Sequence, residues 1–519
     1  MAWLTFSKGS FVLVQTDTYQ LNKMKPMREH WVKCALNSYS TRSLRAAEMF
    51  REIAQEPAER MFIKALGVTY DQEINLDHLR FLDAHQRDGV RWILSRQRSY
   101  LAHAPGAGKT CQAIVASQLC EGKGTVVFIV PPALVANWER ELVKFMGELK
   151  IPYTSSTIDS SQHKDFVDWK ADFIIVPDSM LHKDWVLYQL QKLPIKFLAV
   201  DEASRFKEPA SLRTVALFGG TSKDVKSKGL IYKPRHTVLM DGSPMPNRPM
   251  ELWAPTFAMA PKAIDCLEQL DFGMRYCGPT PNGYGGWEFK YSSNEEELRE
   301  KLRRDFMHVV TEEQLSHPER RRSLLYMPDE IRSREHLKWD KENLQGLMTD
   351  ALDDDIKDEQ LSRWRHELGK RKVPWATKYL RERLRDKNEK LLVFAWHKEV
   401  CFALHESLLE FRPGLVTGGT EAWEREEIFK DFQEGGGRLI IGNIAAMGRG
   451  HNLQKADRVV FVEFSWCGET NIQAEKRASR RGSEKEYVRC EYLVAPGTID
   501  EIVMETIFRK DASVKKIVG

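Results

Sequence analysis

"LAHAPGAGKTCQAI", residues 101–114, is the stretch on which the reading of this chain turns. Gly106 and Gly108 flank Ala107 and allow the backbone to wrap an anion with its N–H groups, reinforced by the N-terminus of the helix that should follow. Lys109 is placed to reach the outer phosphates of a nucleotide, and the Thr110 hydroxyl to hold a magnesium ion. His103 stands where such a loop usually opens with glycine, so the stretch alone also fits a glycine-rich turn.

Two further pieces bear on that choice. "KFLAVDEAS", residues 196–204, is an apolar strand ending in Asp201 and Glu202, which puts two carboxylates at the sheet edge where open α/β sheets bind ligands. Asp201 can hold the magnesium shell, and Glu202 can orient and deprotonate an attacking water. An acidic helix start is the plainer alternative; about ninety residues after a phosphate loop, hydrolysis is favoured. In "NIQAEKRASRRGS", residues 471–483, Arg477 and Arg480 are three apart and on a helix would share a face toward a γ-phosphate. Such an arginine is worth about a thousandfold or more in phosphoryl transfer. By itself the stretch also reads as a basic surface helix.

Around these pieces the chain alternates in a regular way. "TVVFIV", "DFIIV", "KFLAV" and "HTVLM" read as buried parallel strands, and the rhythm returns with "KLLVFA", "RLIIG", "RVVFVEF" and "YVRCEYLV". The fold class is therefore α/β, with two parallel-sheet lobes covered by helices on both faces. The expected divisions are a small accessory module at 1–72, a first lobe at 73–270, a helical insertion at 271–372 and a second lobe at 373–519. In the insertion, Ser293 and Glu296 offer a capping box for Leu298, Leu302 and Phe306. Leu344, Met348, Leu352, Ile356, Leu361, Trp364 and Leu368 keep a near-helical period that Gly369 can close. The accessory module offers a strand at "SFVLVQT" and a helix through "SLRAAEMFREIAQ".

At 519 residues, with 42% hydrophobic and 29% charged residues, the composition is that of a folded multi-domain chain. No apolar run of about 18 residues is present, and "MAWLTFSKGSF" lacks the pattern of a secretion signal. No membrane partner is expected, and the eight scattered cysteines read as reduced thiols of a protein kept inside the cell. The net charge of +4 does not announce a polyanion partner. "REKLRRDF", "HPERRRS" and "EKRASRRGSEK" are local basic clusters that either face phosphates or form solvated helix faces.

"LDAHQRDGVRWIL", "HAPGAGKT", "VPPALVANWERELVKF", "VDEAS", "LMDGSPMPN", "KLLVFAWHK", "TGGTEAWEREE", "MGRGHNLQKADRVVF" and "IQAEKRASRRG" follow one another in the order of the superfamily-two helicase motifs. They resemble the Snf-type branch, the double-stranded DNA translocases. "DFGMRYC" with "GGWEFKYSSNEEELREKL" resembles the annealing-helicase (HARP-like) subgroup, which reanneals DNA and remodels replication forks. The resemblance spans roughly residues 75–510 and implies two RecA-like lobes that use ATP and Mg2+.

It implies that Gln86 reads adenine with His85 as a neighbouring ring, and that Gly106, Ala107, Gly108, Lys109, Thr110, Asp201 and Glu202 form the hydrolytic site. Gly450 falls in the second-lobe loop that couples nucleotide to DNA, and Arg477 and Arg480 match the arginine fingers. Asn137, Ser243, Thr417 and Thr420 are the candidate DNA contacts, of the kind that position without reading sequence. "REHWVKCALNSYSTRSLRAAEMFREI" resembles the small domain that assists junction binding in the HARP-like subgroup. Ser204, Asp241 and Ser483 depart from the usual motif residues, and Arg449 has no counterpart in them.

The expected activity is that of a DNA-dependent ATPase translocating on duplex or branched DNA, acting as a monomer beside single-stranded-DNA-binding or replication proteins. The cytoplasm of a bacterium or virus-infected cell, or a eukaryotic nucleus, is the expected place. A strand-unwinding helicase, the motor of a restriction or defence complex, and an ATP-gated binder of branched DNA are the alternatives.

Overall fold

The computed structural model describes residues 2–7, 10–16, 18–41, 44–55, 58, 70, 74–158, 167–221, 226–266, 268–282, 285–315, 318–328, 359–447, 453–479, 483, 485–501, 503–505, 507 and 517. The chain forms two units, Met1–Thr311 with Ser513–Gly519, and Glu312–Ala512.

The first unit begins with an antiparallel sheet of β1 (Trp3–Ser7), β2 (Ser10–Val14), β3 (Val32–Ala35) and β4 (Ser38–Thr41), in the order β1-β2-β4-β3. Leu4, Phe11, Leu13, Trp31, Leu44 and Phe50 form its own small core. The expected helix over 43–55 is shorter in the structure: a helical turn at Leu44–Glu48, then a 3-10 turn at Arg51–Ile53. That short helix is fastened to the rest of the unit, since Glu48 pairs with Lys262 at 2.9 Å and the Arg45 N–H donates to Asp265 at 3.2 Å.

The main sheet contains β5 (Arg98–His103), β6 (Thr125–Val130), β7 (Ser155–Thr157), β8 (Phe173–Pro177), β9 (Ile195–Asp201), β10 (His236–Asp241) and β11 (Met307–Val310). It is parallel throughout, ordered β11-β5-β10-β9-β6-β8-β7. The apolar runs make this necessary: Val127, Ile129, Leu198 and Val200 enter one core, while Val126, Phe128, Phe197 and Ala199 enter the core on the opposite face. At about 1.5–3 kcal/mol for each large side chain removed from water, a strand apolar on both faces is stable only between two layers of helices.

The second unit repeats the plan. β12 (Glu319–Tyr326), β13 (Leu391–Ala395), β14 (Gly414–Val416), β15 (Leu439–Asn443), β16 (Arg458–Phe461) and β17 (Tyr487–Val494) form a parallel sheet ordered β12-β17-β16-β13-β15-β14. Leu392 and Phe394 face one core, and Leu391, Val393 and Ala395 the other.

The described parts of the segment 271–372 divide between the two units. The helix Glu295–Asp305 and β11 belong to the first unit, and β12 lies at the edge of the second unit's sheet. Leu298, Leu302 and Phe306 are buried as the helical period requires, but Asn294 rather than Ser293 caps the helix. The Ser293 hydroxyl instead donates to the Arg275 carbonyl at 2.8 Å. Leu344, Met348, Leu352 and Ile356 lie outside the described residues.

Gly369 closes nothing: the helix Glu359–Leu384 runs through it. A Cβ at Gly369 would fall 2.3 Å from Oε1 of Glu463, whose carboxylate also accepts from the backbone N–H groups of Trp396 (3.0 Å) and His397 (2.9 Å). Glycine is there because a helix backbone passes against a fixed carboxylate. Gly369→Ala, which at an open helical position would stabilise by about 1 kcal/mol, should here destabilise by about 1–2 kcal/mol. Chemical denaturation of the variant checks the sign.

Candidate functional site

A loop that offers N–H groups to an anion must satisfy its carbonyls elsewhere, because buried backbone acceptors are costly to leave unpaired. The stretch between β5 and α1 (Lys109–Leu119) meets that demand through side chains. The Ala107 carbonyl accepts from Nε2 of His85 at 3.0 Å, Nε2 of Gln86 at 3.2 Å and Nε2 of Gln112 at 3.1 Å. Nζ of Lys109 donates to the His103 carbonyl at 2.7 Å. Gly106 and Gly108 take φ values of 87° and 78°, a region that disfavours side chains, and a Cβ on Gly108 would sit 2.2 Å from Nε2 of Gln86. Gln86 is fixed from its other end too, because Oε1 accepts from the Asp83 N–H at 3.0 Å in a capping box. His85 and Gln86 are thus joined to Ala107 by hydrogen bonds, while Lys109 is tied to the His103 carbonyl. Thr110 lies half-buried in the first turn of α1.

Asp201 ends β9 on the same sheet, and Glu202 follows it at the start of a 3-10 turn. Asp201 is buried, with Oδ2 accepting from Nε1 of Trp138 at 2.9 Å and Oδ1 from the Glu202 N–H at 3.0 Å. Burial and the neighbouring Glu202 carboxylate push its carboxyl group up, while Trp138 and the Lys109 ammonium pull it back. Glu202 has φ 50°, a left-handed conformation of the sort that costs about 1–3 kcal/mol and clusters at functional sites. Two neighbouring carboxylates offer hard oxygen ligands of the kind a divalent cation takes, and the Lys109 ammonium is near enough to favour the ionised form of Asp201.

Asp241, which replaces the usual threonine, has a physical account. It is fully buried at the end of β10, and its two oxygens accept from the Ser204 and Ser243 N–H groups, each at 2.7 Å. One side chain therefore joins the loop after Glu202 to the loop after β10, which a hydroxyl with its fewer lone pairs would hold less firmly. Burial and Glu202 push its carboxyl group up.

In the second unit, Arg477 is buried but lies in the turn after the helix Gly468–Glu475, with its carbonyl accepting from the Leu453 N–H at 2.8 Å. The expected helical face shared by Arg477 and Arg480 is thus not what positions Arg477. Arg480, Gly450 and Arg449 lie outside the described residues. The "HPERRRS" cluster is not a solvated helix. It is mostly β12, where Arg320 and Arg322 pair with the fully buried Glu475 at 2.6 and 2.8 Å, and the Tyr492 hydroxyl donates to the same carboxylate at 2.7 Å. Glu312 pairs with Arg320 and with Lys476, the latter at 2.6 Å.

The four candidate DNA contacts differ in surroundings. Asn137 is half-buried in the helix Val135–Leu149, and Ser243 is buried beside Asp241. Thr417 and Thr420 close a turn on each other, the Thr417 N–H donating to Oγ1 of Thr420 at 2.9 Å. Sequence reasoning missed Gln112, Trp138 and His308. An internal helix residue, a motif tryptophan and a strand histidine carry no signal of their partners until the sheet order is known.

Each unit thus carries one large parallel sheet, and the first places a glycine-rich loop and an Asp–Glu pair on the same sheet. Residues 85–264 match the SNF2-related domain, and residues 372–482 the helicase conserved C-terminal domain. The chain thus carries an SNF2-related domain followed by a helicase conserved C-terminal domain.

Among curated relatives, it is 25% identical over 520 residues to the SWI/SNF-related matrix-associated actin-dependent regulator of chromatin subfamily A-like protein 1 of Xenopus laevis, covering 97% of this chain and 52% of that protein. It is 26% identical over 454 residues to the human DNA annealing helicase and endonuclease ZRANB3, covering 82% of this chain and 39% of that one. The chain therefore spans about half the length, or less, of these relatives. A solved SWI2/SNF2 ATPase core from Sulfolobus solfataricus, in complex with dsDNA, aligns over 87% of this chain and 95% of that one, with 20% identity and a TM-score of 0.37.

The ion network gives a pH prediction. Burial pushes Glu312 up, but Lys476 and Arg320 outweigh it and hold the carboxyl group at about 2, against an ordinary 4.5. A depressed folded-state value means stability that is complete above about 4.5 and is lost as the pH falls toward 2. With its side chain 32% exposed, Glu312 should contribute about 1–2 kcal/mol. Glu312→Gln should lose that amount at pH 7 and show a flatter decline in stability between pH 4.5 and 2; denaturant titrations at several pH values measure both.

Proposed function

We propose that this chain is a DNA-dependent ATPase that translocates on duplex or branched DNA, reannealing strands or remodelling replication forks. The observation that carries the ATPase reading is the hydrogen-bonded loop Gly106–Thr110 beside Asp201 and Glu202 in an SNF2-related domain. The annealing and fork-remodelling part rests on the names and identities of the relatives and on the HARP-like segment at 271–302.

In this reading His85 and Gln86 receive the adenine, and the backbone of Gly106, Ala107 and Gly108 cradles the phosphates. Lys109 exchanges its contact with the His103 carbonyl for the outer phosphates. Thr110 and Asp201 would hold Mg2+, which neutralises charge developing on the phosphate oxygens. Glu202, at its left-handed backbone position after β9, orients the attacking water and takes its proton. Arg477 and Arg480 of the second unit are assigned the neutralisation of γ-phosphate charge, and Gly450 the loop that couples nucleotide to DNA. Asn137, Ser243, Thr417 and Thr420 are proposed to grip DNA phosphates; the buried Ser243 would do so after its loop moves. The accessory module at 1–72 is proposed to assist junction binding.

No helix among the described residues is long and apolar enough to cross a membrane. Action beside single-stranded-DNA-binding or replication proteins, as a monomer, belongs to the same proposal, as does a nuclear place in a eukaryotic cell.

Lys109→Ala and Glu202→Gln should each lower DNA-stimulated ATP turnover by at least about a hundredfold. Glu202→Gln should keep nucleotide binding, since it removes the base and leaves the cradle intact. Turnover by either variant at the wild-type rate would sink the assignment.

A further inference from the structure

The ring of His103, at the place of the missing glycine, is fully buried behind the phosphate loop. Its Nε2 lies 2.7 Å from Nδ1 of His308 on β11, and its Nδ1 lies 3.3 Å from Nε2 of Gln112. The same Gln112 nitrogen donates to the Ala107 carbonyl at 3.1 Å, so both of its hydrogens are used. That settles the remaining roles: Nδ1 of His103 accepts from Gln112, and Nε2–H of His103 donates to Nδ1 of His308. Both rings must be neutral for this, and burial lowers the pKa of each.

The arrangement is built for these side chains. A Cβ on Gly89 would come within 1.8 Å of Oε1 of Gln112 and 3.0 Å of Cε1 of His103, so a glycine in the adjacent helix Ala84–Leu94 makes room for both. Oε1 of Gln112 is left buried without a donor, an exception that calls for a reason. The reason on this view is that the amide is oriented by its two acceptors.

The line of contacts also has a direction. It starts at His85 and Gln86, passes through the Ala107 carbonyl, Gln112 and His103, and ends on β11. β11 is the last strand of the first unit before the chain enters the second at Glu312, and its Val310 carbonyl accepts from the Ala104 N–H at 2.8 Å.

We propose that His103 and His308 are positioning residues that, through Gln112, seat the phosphate loop against the strand by which the chain leaves the first unit. Nucleotide affinity then depends on His308, whose side chain, among the described residues, is hydrogen-bonded toward the loop through His103. This rests on the ATPase reading for its setting, but not on DNA stimulation or turnover.

The test uses the full chain with Mg2+, comparing the Kd for a non-hydrolysable ATP analogue with the KM and kcat for ATP on duplex DNA. His308→Phe keeps the ring volume but removes the acceptor. It should raise Kd and KM about tenfold, the effect of one buried N–H left unpaired, while kcat stays within about twofold because Asp201 and Glu202 are untouched. His308→Asn places Oδ1 near the position of Nδ1 and should restore most of the affinity. Gln112→Met breaks the same line from the other side and should reproduce the KM effect, and with His308→Phe the losses should be less than additive. It also carries the test if His308→Phe fails to fold.

Unchanged affinity in His308→Phe, or in Gln112→Met where the former does not fold, overturns the proposal. So does His308→Asn as impaired as His308→Phe. A wild-type chain that binds the analogue without turning over ATP would contradict the proposed function alone; one that does not bind it would contradict both.

Discussion

The Ala107 carbonyl oxygen is where the first unit's requirements meet. A backbone that presents N–H groups to phosphate needs its carbonyls satisfied from the protein side, and Ala107 receives three side-chain donors, from His85, Gln86 and Gln112. Each donor imposes a demand elsewhere. Gln86 needs its capping box with Asp83, Gln112 needs the space left by Gly89, and the Gly108 backbone must pass too near Gln86 for any side chain. Parallel strands with apolar residues on both faces supply the rigid support, so the loop is held by a sheet that cannot shift register without moving apolar residues out of both cores.

The second unit solves a comparable problem with charge. Glu475, two residues before Arg477, is fully buried and engages Arg320, Arg322 and Tyr492. Removing one member of a buried set like this leaves uncompensated charge and typically costs about 3–5 kcal/mol. The segment leading into Arg477 is thereby fixed to an edge strand. Arg320 and Arg322 are engaged in that task, whereas Arg321 between them is exposed and pairs with Glu319.

The strand runs and the glycine loop were legible because they rest on local composition: apolar runs, glycines at two fixed places, and carboxylates after a strand. The eight runs quoted from sequence all fall on observed strands. Reading failed where a residue's meaning depends on a distant partner. Gly369 looks like a helix end until Glu463 is found against it, and Ser293 looks like a cap until Arg275 takes its hydroxyl. The roles of Asp241, Trp138, Gln112 and His308 likewise arise from neighbours brought together by the order of strands in the sheet. The segment 271–372 read as one insertion because its texture differs from both lobes. Pairing of β11 and β12 into separate sheets is information that strand composition does not hold.

Movement on DNA is the proposed task of this nucleotide site. It is tested by the steady-state ATPase rate of the chain alone and with single-stranded DNA, duplex DNA, forked DNA and duplex RNA at equal nucleotide concentration and fixed salt. A low basal rate, raised many-fold by duplex or forked DNA and far less by RNA, is expected. A rate indifferent to nucleic acid, or raised most by RNA, would contradict it.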